Sequence, residues 1–301
     1  FRFHVLQASA MRLPIYQVDA FASRPFSGNP AAVVPLLEAS HVQLETGLMQ
    51  QIASENNLSE TAFIMRSGAP ASLEWPSLPE AEWRIRWFTP SIEVDLCGHA
   101  TLASAFVILH HHVDSDSVSF ASRSGMLRAY QRDGLVWLDF PADKTTPVAD
   151  SSRDGEKLWE ALIVGLGVPV LEVHRGRDDV LVVVKDAETV DSLKPDFRGL
   201  SELDTRGIIV TAVAEQPESG TPAAHGFVSR FFAPAVGVDE DPVTGSAHTT
   251  LTPFWAERLG ATQLRARQLS ARGGELTCVL HDDRVHIGGK VAAYMTGEIS
   301  V

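Results

Sequence analysis

Glu60 sits in Ser59-Glu60-Thr61, where a helical pattern gives way to a strand-like run from Ala62. A carboxylate beside apolar neighbours holds a proton more readily than one in water, which suits it to proton shuttling. The plainer alternative is a solvated glutamate at a helix end. Two further stretches echo each other half a chain apart, Asp95-Leu96-Cys97-Gly98-His99-Ala100-Thr101 and Asp241-Pro242-Val243-Thr244-Gly245-Ser246-Ala247. Each begins with an acid on a turn, passes a glycine and enters a helix. Unpaired backbone N–H groups and a partial positive charge make each helix start a seat for an anion. Gly98, Gly245 and Ser246 would grip a small carboxylate there.

Asp241 follows Asp239 and Glu240. It reads either as part of a capping cluster or as a carboxylate able to hold an amine or hydroxyl, or to act as a base. His99 could exchange a proton, and Cys97, at a helix start, could form a thiolate or simply pack as a small buried thiol. The second helix start carries no thiol, so a two-cysteine racemase pattern is incomplete. His110-His111-His112 point in different directions on a helix and do not share the i, i+4 spacing of a metal site. Neither Cys97 nor Cys278 lies in a Cys-x-x-Cys pair. No metal is expected. Dinucleotide, P-loop and Gly-x-Ser-x-Gly motifs are missing.

The elements that must place these residues follow from periodicity. Pro14–Phe21 predicts a first strand. Leu44, Leu48 and Ile52 predict a helix capped by Ser40 and closed by Asn56-Asn57. Strict alternation at Trp83–Trp87 predicts a half-buried strand. The helix opened by Gly98 is apolar on every side, so burial is expected. Val118–Phe140 predicts a strand meander turning at Asp133-Gly134. Pro141–Gly155 reads as the link between halves, followed by a helix over about 156–166. Strands are expected at Val180–Val184, Gly207–Val213 and Gly226–Ala233, with a polar loop inside Thr211–Gly226. A second buried helix is expected at Ser246–Leu259, then a hairpin across Asp282-Asp283 and a last strand near Tyr294–Ser300. Two apolar helices, one per half, suggest strands wrapped around a central helix, done twice.

The 301 residues carry a formal net charge of -13, with 38 acids against 25 Lys and Arg. That field disfavours nucleic acid and anionic membrane as partners. No apolar run approaches the ~20 residues of a membrane span. Two cysteines fit a reducing, cytoplasmic setting. Phe1–Ala10, ahead of an internal Met11, reads as an extension.

Asn56–Phe63, Leu96–Thr101 and Asp239–Ala247, with Asp19-Ala20-Phe21 and Phe26-Ser27-Gly28-Asn29-Pro30, resemble the phenazine biosynthesis PhzF-like family from about Met11 to the C-terminus. The resemblance implies an α+β, diaminopimelate epimerase-like fold. Two similar domains would each wrap a curved, mostly antiparallel sheet around a central helix, with the site between them. The domains would be 11–140 plus 288–301, and 141–287. It implies Glu60 as catalytic acid/base with His99 and Asp241 handling protons, and Ser59, Gly98, Gly245, Ser246 and Asn29 as substrate-binding. It further implies cofactor-free isomerisation of a small carboxylate by a homodimer. Cys97 stands where related epimerases carry their first catalytic cysteine; packing is its favoured role here, with thiol-assisted epimerisation or a non-catalytic binding protein as alternatives.

Overall fold

The structure is a computed structural model that describes residues 11–301 apart from 39, 70–74, 151 and 215–225. The extension at 1–10 and most of the polar loop expected inside Thr211–Gly226 lie outside the described residues. The chain divides into two compact units: residues up to Ala20 with Pro30–Gln131 and Val291–Val301, and Phe21–Asn29 with Arg132–Lys290.

The first unit begins with β1 (Arg12–Ala20) and β2 (Asn29–Leu36). Helix α1 (Thr46–Asn56) leads into β3 (Glu60–Arg66), β4 (Trp83–Phe88) and the short β5 (Glu93–Val94). Helix α2 (Gly98–His111), β6 (Ser117–Ser122) and β7 (Gly125–Arg132) follow. β2 runs parallel to β3, β3 antiparallel to β4, β4 parallel to β6, and β6 antiparallel to β7. β5 folds back on β4. α2 packs on β1, β3 and β6, and ten of its residues from His99 to Leu109 are buried, as its uniform apolarity predicts. Ser40 does not cap α1; a 3-10 turn at His41–Gln43 intervenes, and the helix starts at Thr46. Asn57 closes it in the left-handed region, φ 49°, a conformation asparagine tolerates. Leu44, Met49 and Ile52 join Leu13, Val34, Phe63 and Phe88 in a core under α1.

The second unit holds β8 (Leu135–Pro141), β9 (Thr146–Pro147), α3 (Arg153–Leu166), β10 (Glu172–Arg175) and β11 (Asp179–Val183). After these come α4 (Ala187–Asp191), α5 (Phe197–Leu200), β12 (Gly207–Val213), β13 (Gly226–Ala233) and β14 (Val238–Asp241). α6 (Gly245–Leu259), β15 (Gln263–Gln268), β16 (Gly274–His281) and β17 (Arg284–Gly289) complete it. β11 is parallel to β12, β12 antiparallel to β13, β13 parallel to β15, and β15 antiparallel to β16, while β14 folds back on β13. α6 packs on β13, β15, β16 and β17. The last strand, β18 (Val291–Ser300), pairs antiparallel with β1 and so belongs to the first unit.

Both sheets therefore repeat one connectivity: parallel pair, antiparallel return, folded-back short strand, buried helix, parallel strand, antiparallel strand. Registers fix the equivalences. Ala31 faces Glu60 as Asp179 faces Gly207, and Trp87 faces Val94 as Phe231 faces Asp241. Glu60 thus corresponds to Gly207, Gly98 to Gly245 and His99 to Ser246. The acids of the sequence echo shift by one, because Asp241 corresponds to Val94 rather than to Asp95.

Four expectations change. The passage between units falls between Gln131 and Arg132, just ahead of the turn at Asp133-Gly134 (φ 53° and 73°), rather than in 141–155. β8 leaves the expected meander because its ladder partner is β17. Phe21–Asn29 joins the second unit through bonds such as Ala22 N–H to Lys290 O and Gly28 N–H to Gly273 O, 2.9 and 2.7 Å. β4 is not half-buried: Arg86 is 2% exposed, because its guanidinium donates to both oxygens of Glu93 at 2.7 Å, which removes the cost of an unpaired buried charge.

A Cβ on Gly207 would lie 2.2 Å from the Phe231 ring. Gly207→Ala is expected to lower stability by about 1–3 kcal/mol through overpacking. Urea unfolding followed by fluorescence checks this, and an unchanged midpoint refutes so close an approach.

Candidate active site

In the first unit, β3 starts at Glu60 and α2 starts at Gly98, and the two starts bring their side chains together. His99 Nε2 lies 3.0 Å from Glu60 Oε2, and His99 Nδ1 lies 3.5 Å from Cys97 Sγ. The imidazole sits between the thiol and the carboxylate, with 6% of its side chain exposed and 17% of Glu60's. Burial opposes the imidazolium, yet Cys97 and Glu60 together carry the His99 pKa well above its ordinary value. Burial, and then the Glu60 charge, push the Cys97 thiol up to about 11. The thiol therefore stays protonated at neutral pH.

Thiol, imidazole and carboxylate donors within 4.8 Å of one another are a set that zinc can use. Here, however, the two imidazole nitrogens face different partners, Nδ1 the thiol and Nε2 the carboxylate, so no single ring nitrogen faces both other donors. Arg86, Glu93, Arg123 and Asp95 form the brace that leads the chain into this start, with Arg123 reaching Glu93 at 2.8 Å and Asp95 at 3.6 Å. Ser59 lies half-buried immediately before Glu60.

In the second unit, the turn into α6 is knotted by hydrogen bonds. Asn29 is fully buried, and its amide donates to Asp241 Oδ1 at 2.8 Å and to the Val243 carbonyl at 2.9 Å. Thr244 Oγ donates to Asp241 Oδ2 at 2.5 Å. Gln268 donates to the Asp241 carbonyl at 2.7 Å and accepts from Thr244 N–H at 2.9 Å. Both Asp241 oxygens thus serve as acceptors within the turn, and Asn29 braces that turn from 212 residues away. Ser246, in the first turn of α6, is half-buried.

α3 and α4 are capped by Ser152 and Asp186 side chains, whereas the cap residues of α2 and α6, Cys97 and Thr244, make no such bond, as is also true of α1 and α5. A start without a side-chain cap leaves backbone donors open. Near the far, carbonyl end of α6 lies a cavity of about 910 Å³ lined by Lys144, His174, Pro253, Arg258 and Asp282 among others. The helix dipole there favours cations, which sets it apart from the two starts. His248, inside α6, is fully buried with Nδ1 2.7 Å from the Thr244 carbonyl, and burial lowers its pKa to about 4. It is neutral at pH 7 and donates through Nδ1, in contrast to His99.

Sequence reasoning missed Arg206. Its guanidinium makes a bidentate pair with buried Asp179 and donates to Ser246 Oγ at 3.2 Å. A lone arginine before a strand gives no local signal; the register of the internal repeat does.

A repeated sheet-around-helix unit, with an uncapped helix start beside a strand start in each copy, defines an α+β protein of the diaminopimelate epimerase-like fold. The chain belongs to the phenazine biosynthesis-like family, whose PhzC-PhzF description matches residues 18–297. An uncharacterized isomerase of Pseudomonas aeruginosa is 48% identical over 290 residues, 96% of this chain and 99% of that protein. A phenazine biosynthesis-like domain-containing protein of Mus musculus is 40% identical, covering 96% of this chain and 100% of that one. The crystal structure of an Enterococcus faecalis PhzF family protein matches with a TM-score of 0.80 at 40% identity, over 97% and 100% of the two chains. A hydroxyproline epimerase of Agrobacterium vitis shares the fold alone, with a TM-score of 0.56 and 10% identity over 96% and 93%. No helix among the described residues is long and apolar enough to cross a membrane.

Burial also raises the Cys278 thiol, to about 12. A rise of two units leaves about a hundredfold less thiolate, so at pH 8 iodoacetamide should label Cys97 of the folded protein about a hundredfold more slowly than an ordinary thiol. Labelling should accelerate as pH climbs toward 11 and become complete in denaturant. Intact-mass spectrometry reads both; fast labelling of Cys97 at pH 7 would contradict the neutral thiol.

Proposed function

We propose that the protein is an isomerase of a small carboxylate that relocates a proton through Glu60, with no organic or metal cofactor in the step. The observation that carries this reading is the shielded Glu60–His99 pair. Glu60 takes a proton from a carbon beside an activating group and returns it elsewhere on the same molecule. His99 stays protonated, and so stabilises the negative charge that develops on the carbon when Glu60 withdraws its proton. Backbone N–H groups at Gly98 in the first unit, and at Gly245 and Ser246 in the second, are each read as donors suited to an acid group. Asp241 and Asn29 hold the α6 turn in shape rather than carry the proton. The isomerase names of the relatives and the shared fold with an epimerase support the same class.

General acid–base catalysis contributes about 10²–10⁴-fold. Incubating a panel of amino and cyclic carboxylates in deuterated water, with NMR detection, should reveal hydrogen exchange on at least one compound. Glu60→Gln should then lose at least about a hundredfold in rate while keeping its unfolding midpoint, and Cys97→Ala should stay within several-fold of the parent. Full exchange by the Gln variant would overturn the assignment. Loss of exchange confined to Cys97→Ala would favour a thiol-assisted epimerase, and no exchange on any compound would favour a binding protein.

A further inference from the structure

We infer that Arg206 anchors the substrate's acid group at the start of α6 and so selects carboxylates; this rests on the proposed reading of that start as an anion seat. The internal repeat carries the argument. Glu60, the first residue of β3, corresponds to Gly207, the first residue of β12, and His99 corresponds to Ser246. In the first unit, the strand start and the helix start meet through Glu60 and His99, 3.0 Å apart. In the second unit, the same two places meet through Arg206 and Ser246, 3.2 Å apart.

The substitution of a base by a cation is enforced sterically. A Cβ at Gly207 would stand 2.2 Å from the Phe231 ring and 3.0 Å from Asp179 Oδ1, so no side chain of the Glu60 kind fits. The residue one step earlier takes over that corner. It corresponds to Ser59, which neighbours the proton-transfer pair in the first unit. The second copy of the repeat therefore lacks an acid/base and presents a guanidinium instead.

Arg206 is built for that task. Asp179, 3% exposed in its side chain, holds the guanidinium through Nε at 2.9 Å and through Nη2. The Phe231 ring lies 6.0 Å from its Cζ. Its side chain remains 41% exposed, so the charge is fixed in direction yet reachable. A guanidinium only donates. Ser246 Oγ must therefore accept from Arg206, which leaves the serine hydroxyl hydrogen to point at a ligand oxygen. Arg206, Ser246 and the free N–H groups of α6 then present converging donors, a pattern suited to a carboxylate and unsuited to an amide or amine.

Benzoate is the probe, titrated into the ¹⁵N-labelled full chain in the Glu60→Gln background, with benzamide as its uncharged counterpart. The Gly245 and Ser246 amides should shift with benzoate and not with benzamide. Arg206→Gln should weaken benzoate at least tenfold, and Arg206→Lys should recover most of that loss, with unfolding midpoints confirming that both variants fold. On any exchanging carboxylate, Arg206→Gln in the otherwise unaltered chain should raise KM at least tenfold and leave kcat within threefold. Unaltered benzoate affinity in Arg206→Gln, equal binding of benzamide, or no benzoate shift at these amides overturns the inference. Persistence of exchange in Glu60→Gln alongside a benzoate loss in Arg206→Gln would sink the Glu60 reading and leave the anchor standing.

Discussion

The contact between Glu60 and His99 is the constraint on which the first unit depends. Placing a carboxylate and an imidazolium 3.0 Å apart with little exposure strengthens their attraction but removes both from water. An imidazolium at a helix start also opposes the helix dipole, and the neighbouring carboxylate helps to offset that. Such a pair needs its two backbones fixed independently of it. The β2–β3–β4 ladder fixes one, and the Arg86–Glu93–Arg123 brace fixes the approach to α2. When Glu60 accepts a proton, the imidazolium and the helix start are left without their counter-charge. That imbalance favours an anion at the moment a carbon acid loses its proton, which is the electrostatic logic of the proposed reaction.

The same connectivity in the second unit holds the turn into α6 by different means. Nearly every polar group in it is tied: Asn29 and Thr244 to the Asp241 carboxylate, Gln268 to Asp241 and Thr244, and Ser270 to the Pro242 carbonyl at 2.7 Å. A fully connected polar network is rigid, since leaving any member unpaired in a buried turn costs the desolvation of that group. Rigidity suits the α6 start to the anion seat proposed for it.

How much of this is legible in sequence depends on how local the cause is. β12 and β13 fall where their apolar runs place them, and both buried helices begin at their glycines, because periodicity and turn chemistry act within a few residues. α4 and α5 are one-turn helices, too short to show a period. Trp83–Trp87 alternates like a solvent-facing strand, but Arg86 is drawn inward by Glu93, and an ion pair leaves no trace in an apolar pattern. The Asn29 brace and the β8–β17 ladder join segments more than a hundred residues apart, beyond any local signal. Glu60 and His99 were legible only as separate candidates; their contact follows from the registers of β3 and β5.

The repeat also weighs against one of the chemistries that the residue types alone leave open. An epimerase that works through two thiols needs one at each of two equivalent helix starts. Cys97 occupies the cap of α2, and the equivalent cap of α6 is Thr244. The Thr244 hydroxyl donates to Asp241 and accepts from Gln268, so it is committed to the turn. A threonine so engaged is no base, and a thiol held protonated up to about 11 is a poor one. The group that keeps a close imidazole partner and partial shielding is the Glu60 carboxylate. In the proposed reading, the repeat gives proton movement to the corner at Glu60 and charge recognition to the corner at Arg206.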